Sequence, residues 1–93
     1  MAKTDLREVA RGFSLLSDPT RMGILAVLSK GATNVSGLCK ALKKKQPAVS
    51  HHLGLLRMGR LVASKRQGKS VIYEADKAAL KALASGLVKL MPK

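Results

Sequence analysis

Two adjacent histidines, His51 and His52, stand in KKKQPAVSHHLGLLRMGRL (residues 43–61), behind three lysines and a proline. Together with Cys39 they are the whole of the chain's histidine and cysteine. Three kinds of chemistry suit such a pair: metal ligation, acid–base catalysis, or contact with something acidic. A metal centre needs convergent ligands, and neighbouring residues on a helix point about 100° apart. With no third histidine and one cysteine, the ligand count falls short of a zinc-type site. Catalysis needs a carboxylate or nucleophile placed to complete a constellation, and the sequence offers neither, nor a phosphate-binding glycine loop. The residues therefore do not read as an enzyme, and the histidines read as part of a contact surface.

The charge pattern says what that surface would meet. Eighteen Lys and Arg against five Asp and Glu give a formal net charge of +13. The acidic residues are Asp5, Glu8, Asp18, Glu74 and Asp76, so the segment between Asp18 and Glu74 holds none, while eleven basic residues lie within it. So biased a segment attracts a polyanion, nucleic acid above all. Phe13 and Tyr73 are the only aromatic residues, which argues against a single-strand reader that stacks bases on aromatic platforms. At 93 residues with 46% hydrophobic composition, the chain reads as one small folded domain, residues 1–93, of a size that gains from a partner. No run is long and apolar enough for a membrane span and the N-terminus lacks a signal-peptide core, so cytoplasmic residence is expected.

The elements that must position these residues follow from hydrophobic spacing. Leu6, Val9, Phe13 and Leu16 form one helical stripe over about 4–16. Asp18-Pro19 starts a second helix carrying Ile24, Leu25, Val27 and Leu28. Thr33, Asn34 and Ser36 offer caps for a short third helix with Val35, Leu38, Cys39 and Leu42 inward. Residues 43–46 read as a tight connection, Pro47 opens a fourth helix with Val49, Leu53 and Leu56 inward, and Gly59 ends it. The period then drops to two: Leu61–Arg66 and Ser70–Ala75 read as a hairpin with Gly68 in its turn. Helical spacing returns over 77–91 with Leu80, Leu83, Leu87 and Leu90. The expected class is mainly α with a small β-hairpin, in the order α1-α2-α3-α4-hairpin-α5.

A short helix, a tight turn and a second helix with a polar start match a helix-turn-helix over about 35–58, with a following wing over about 61–75. If Val49, Leu53 and Leu56 face the core, Gln46, Ser50 and His51 face outward, where they can hydrogen-bond base edges. His52, nearer the apolar flank, reads as a packing or orienting residue. Lys43, Lys44, Lys45 and Arg57 on the helix-turn-helix, with Lys65, Arg66 and Lys69 near the hairpin tip, suit phosphates.

The phrases LSDPTRMGIL (16–25), LCKALKKKQPAVSHHLGLLRMGRLV (38–62) and RQGKSVIYEA (66–75) resemble the ArsR-type (arsenic-repressor-like) family of winged helix-turn-helix transcription regulators. The resemblance implies a homodimeric repressor of an inverted-repeat operator, released by an inducer. It implies base reading by Gln46, Ala48, Ser50 and His51, with 65–69 as wing tip. Many members sense metals through a cysteine pair near the third helix or His and acidic ligands on the last. Here the cysteine-pair positions are Asn34 and Ser36, and the last helix holds no His and only Asp76 at its start. No metal cofactor is expected, and no residue set identifies an inducer. Cys39, alone on an inward stripe, reads as a small buried side chain, and a single thiol leaves no internal disulfide.

The terminal helices each carry a leucine stripe beyond what one small core needs. Leu6, Val9, Phe13, Leu80, Leu83, Leu87 and Leu90 are therefore expected at a homodimer interface. Two other readings of the charge stay open: a sequence-nonspecific architectural DNA-binding protein, and an RNA-binding winged helix.

Overall fold

The computed structural model describes residues 5–91. Five helices and one hairpin follow in the expected order: α1 (Leu6–Leu16), α2 (Pro19–Ser29), α3 (Val35–Leu42), α4 (Gln46–Met58), β1 (Val62–Gln67), β2 (Ser70–Ala75) and α5 (Lys77–Leu90). Residue 4, the expected start of the first helix, lies outside the described residues.

Side-chain caps start four of the helices. Asp5 accepts from the Arg7 amide at 2.9 Å, and Asp18 accepts from Thr20 at 2.8 Å and Arg21 at 3.0 Å with Pro19 behind it. Asn34 accepts from Gly37 at 2.8 Å and Asp76 from Ala79 at 2.9 Å. Each satisfies amides that a helix start leaves without intrahelical partners. Three of the five acidic residues are thus helix caps. The exception is α4, whose cap residue Lys45 makes no side-chain bond to the helix.

The core is formed by Ile24, Leu25 and Leu28 of α2, Leu38 of α3, Val49, Leu53 and Leu56 of α4, and Leu61 and Val62 entering the hairpin. Every inward position of α4 read from the spacing is buried. Cys39, expected buried, is half-buried against the edge of this cluster, because α3 is short and its flank stays open. Neither α1 nor α5 has a fully buried residue. They pack on each other and extend the molecule to 46 × 25 × 20 Å.

Three local details differ from the sequence reading. First, α4 begins at Gln46, one residue before the expected Pro47, because Lys43 already turns the chain in the left-handed region at φ 55°. Second, Gly59 is not the left-handed stop. Its φ is −80°, and Arg60 takes the left-handed position at φ 63°. Arg60 N–H donates to the Arg57 carbonyl and Leu61 N–H to that of Leu56, both at 3.0 Å, the paired bonds of a Schellman helix end. What position 59 needs is space: a Cβ there would collide with a methyl of Leu15 on α1. Third, the hairpin loop is two residues long. Gln67 pairs with Ser70, and of Gly68-Lys69 only Gly68 (φ 61°) is left-handed, as in a type II′ turn.

One pairing lies outside the hairpin. Thr33 and Tyr73 exchange backbone hydrogen bonds of 3.1 and 2.8 Å. This bridge joins the segment that opens α3 to the second strand of the wing.

Candidate nucleic-acid interface

Gln46, Ala48, Ser50 and His51 are all exposed in the first two turns of α4, while Val49 and Leu53 of the same helix are buried. Lys43, Lys44 and Lys45 form the turn that leads into this helix, and all three are exposed. Lys65, Arg66 and Lys69 are exposed around the hairpin tip, and Arg57 is exposed near the end of α4. No acidic side chain belongs to α3, α4 or β1. The uncapped start of α4 adds the free amides of Gln46 and Ala48, Pro47 having none. A helix start of this kind carries positive partial charge and suits anions. Lysines, open amides and the polar side chain of Gln46 therefore meet at one end of α4.

The two histidines diverge. Their rings are edge-on, with centroids 5.3 Å apart at 63°. His51 is exposed; His52 is half-buried, with Nδ1 3.2 Å from Nη1 of Arg21 and 3.8 Å from Oδ2 of Asp18. The Asp18 carboxyl is held below its ordinary 3.8, chiefly by the hydrogen bond from the Arg21 backbone amide, with burial opposing. Among the described residues no group of three or more His, Cys, Asp or Glu is arranged to hold a metal ion.

On α1 and α5, Leu6 is 62% exposed, and Leu87 and Leu90 are 43% and 42% exposed. Val9, Phe13 and Leu83 are half-buried between the two helices, and Leu80 is turned toward the protomer's own core. Close approach of the pair depends on Gly12, where a Cβ would stand 2.6 Å from a methyl of Leu83. Val88 and Met91 add exposed apolar surface that the stripe reading missed. Val88 stands about 100° round the helix from Leu87, off the stripe, and Met91 lies past the end of α5 in an extended conformation. Arg21 was missed as well, since nothing local marks its contacts.

Helix-turn-helix, two-stranded wing and flanking helices define a winged helix-turn-helix protein. A family model described as "Bacterial regulatory protein, arsR family" matches residues 18–64, half of the chain, and the chain belongs to that family. It is 47% identical over 62 residues to the arsenical resistance operon repressor of Escherichia coli K12, covering 66% of this chain and 53% of that protein. The chain spans about half the length of the first curated relatives it matches. Among solved structures, an ArsR-like transcriptional regulator from Rhodococcus sp. RHA1 superposes with a TM-score of 0.84 at 33% identity, covering 90% of this chain and 79% of that one. The homodimeric winged helix-turn-helix DNA-binding domain Mb0332 from Mycobacterium bovis superposes at 0.76 with 28% identity, covering 91% and 78%. These relatives are named as transcription regulators, not enzymes.

Proposed function

We propose that this chain is a sequence-specific DNA-binding transcriptional repressor that acts as a homodimer on an inverted-repeat operator, in the cytoplasm, without the metal sites common in its family. The observation that carries the reading is that the basic side chains of the α3–α4 turn and the wing tip, and the polar side chains Gln46, Ser50 and His51 of α4, are all exposed within a stretch of sequence that holds no acidic residue. Gln46, Ala48, Ser50 and His51 would meet base edges in the major groove. Lys43, Lys44, Lys45, Arg57, Lys65, Arg66 and Lys69 would meet phosphates on either side. The E. coli relative is named a repressor, and the M. bovis neighbour is homodimeric. The exposed apolar face of α1 and α5 suits the same assembly. Two copies would present their reading helices to successive major grooves, about 34 Å apart. Among the described residues no helix is long and apolar enough to cross a membrane.

The test is selection from a randomised duplex pool at about 150 mM salt, where phosphate contacts are already weakened. An enriched inverted repeat with half-sites about one helical turn apart is expected. Contact with about 8–10 phosphates gives a log–log salt slope of roughly −7 to −9. Retention without enrichment would favour an architectural protein, and preference for structured RNA would favour an RNA-binding winged helix. Gln46→Ala or Ser50→Ala is expected to cost about 1–3 kcal/mol on the operator and little on other DNA. Equal losses on both would remove these side chains from base reading.

A further inference from the structure

One side chain reaches three helices. Arg21 of α2 donates through Nε to the Leu15 carbonyl and through Nη2 to the Ser14 carbonyl at 3.4 Å, both in the last turn of α1. Carbonyls at a helix end carry its negative partial charge, so a guanidinium is held there by charge as well as by its bond to Leu15. The Ser14 carbonyl also accepts from the Ser17 N–H at 3.2 Å and hydroxyl at 2.7 Å. Its remaining arm, Nη1, lies 3.2 Å from Nδ1 of His52 on α4. Guanidinium only donates, so this contact requires an unprotonated Nδ1: a neutral imidazole with its proton on Nε2. His52 directly follows Ser50 and His51 of the reading face and directly precedes buried Leu53. Arg21 thus connects the end of the helix that carries the apolar dimer face to the helix that carries the reading face.

We propose that Arg21 and His52 are a positioning pair: the Arg21–His52 hydrogen bond fixes the reading face of α4 against the end of α1, and protonation of His52 releases it. The proposal rests on the reading of α4 as the DNA-reading helix and adds to it what holds that helix in place. The charged and titratable groups facing His52 are Asp18 and Arg21 of α2 and His51 of its own helix; α1 offers only carbonyls. A protonated Nδ1 has no lone pair for Arg21 and places a second cation against it. Asp18 Oδ2, 3.8 Å away, becomes its partner instead. Asp18 is ionised throughout the range in which histidines titrate, about pH 5 to 8. Protonation therefore exchanges the contact with Arg21, the side chain that also holds the end of α1, for an ion pair with Asp18 at the start of α2, and α4 loses its link to α1 through the guanidinium.

Two measurements test this. In the free protein, nitrogen NMR of His52 is expected to show the Nε2–H tautomer at pH 8, and Arg21→Gln is expected to change that spectrum. An Nδ1–H tautomer overturns the pair whatever the protein binds, so this arm stands apart from the DNA reading. On the selected inverted repeat, the ratio of operator to non-operator affinity is followed from about pH 8 to pH 5.5, the span that changes histidine charge. The wild type is expected to lose about tenfold of that ratio, the worth of one charge-assisted hydrogen bond. His52→Asn places an amide oxygen near the Nδ1 position and does not titrate, so it should keep the high-pH ratio with a flatter profile. His52→Leu, which has no acceptor, should start about tenfold low at every pH. His51 is present in all these proteins, so its own titration cancels in the comparison. Equal losses in the Asn and Leu variants, or superimposable pH profiles for wild type and His52→Asn, would reduce the contact to simple packing.

Discussion

Lys45→Ser sets the stability of α4 against its proposed work. Position 45 already has the extended backbone of a helix cap, φ −79° and ψ 153°, yet its side chain makes no cap bond. A serine there can accept from the Ala48 amide, Pro47 having none to offer. Such a cap is worth about 1 kcal/mol, which raises Tm by about 4–8 °C in a domain of this size. On the proposed reading, the same change removes one phosphate-facing cation from each copy, two from the dimer. The salt slope should therefore become shallower by about 1.8, and binding at about 150 mM salt about 30-fold weaker. The weakening should be equal on operator and non-operator DNA, since phosphates carry no sequence. Thermal melting at fixed protein concentration and a salt titration of binding on both DNAs check the two halves. A raised Tm with an unchanged salt slope would show that Lys45 touches no phosphate. A loss confined to the operator would make it a base reader, and an unchanged Tm would refute the capping argument itself.

Arg60→Gly should raise stability by about 1 kcal/mol, since a residue with a Cβ in the left-handed region costs about that much relative to glycine; urea unfolding measures it, and no gain would mean that the arginine side chain offsets its own strain. Leu56→Ala, at a fully buried core position, should cost about 2–5 kcal/mol in the same assay, and a smaller loss would mean that the α2–α4 interface collapses around the gap. Gly12→Ala must displace the Leu83 methyls that stand against that Cα, so it should weaken self-association measured by sedimentation while leaving the melting of the core helices nearly unchanged. Asp18 has a folded-state pKa below its unfolded value of 3.8. Its contribution is therefore present above that pH and is lost as pH falls through the lower folded value. Asp18→Asn should flatten the acid limb of a stability–pH curve below about pH 4, and an unchanged limb would place the acid sensitivity elsewhere.

What was legible in the sequence was local. Asp18-Pro19 announced a helix start because cap and proline act within one turn, and Val49, Leu53 and Leu56 announced a buried face because helical period alone places them. Gly68 was placed in the hairpin turn, although the loop came out one residue shorter than read, because Gln67 pairs with Ser70. What was not legible depended on partners far along the chain. Gly59 looked like a helix stop because glycine usually serves there, and only the packing of Leu15 shows that its lack of a side chain is what matters. The Thr33–Tyr73 bridge uses backbone groups that no side-chain pattern advertises. Arg21 meets His52 across 31 residues of sequence, and its basic character alone would have placed it on the surface. The candidate interface was proposed for a different reason: excluding acid from a long segment leaves a mark on composition that needs no geometry.

The Thr33–Tyr73 bridge has a mechanical consequence. Because it ties the wing to the segment that opens α3, and the core ties α3 to α4, the proposed reading helix and the wing are joined like the two jaws of a calliper. Such a tool cannot widen or narrow its own jaws to suit a different half-site. In the proposed dimer, adjustment between two callipers would come from where they would be joined, the α1–α5 arm. A compound or modification that silences the protein without unfolding it should therefore leave each half-site grip intact and spoil only the gauge between the two.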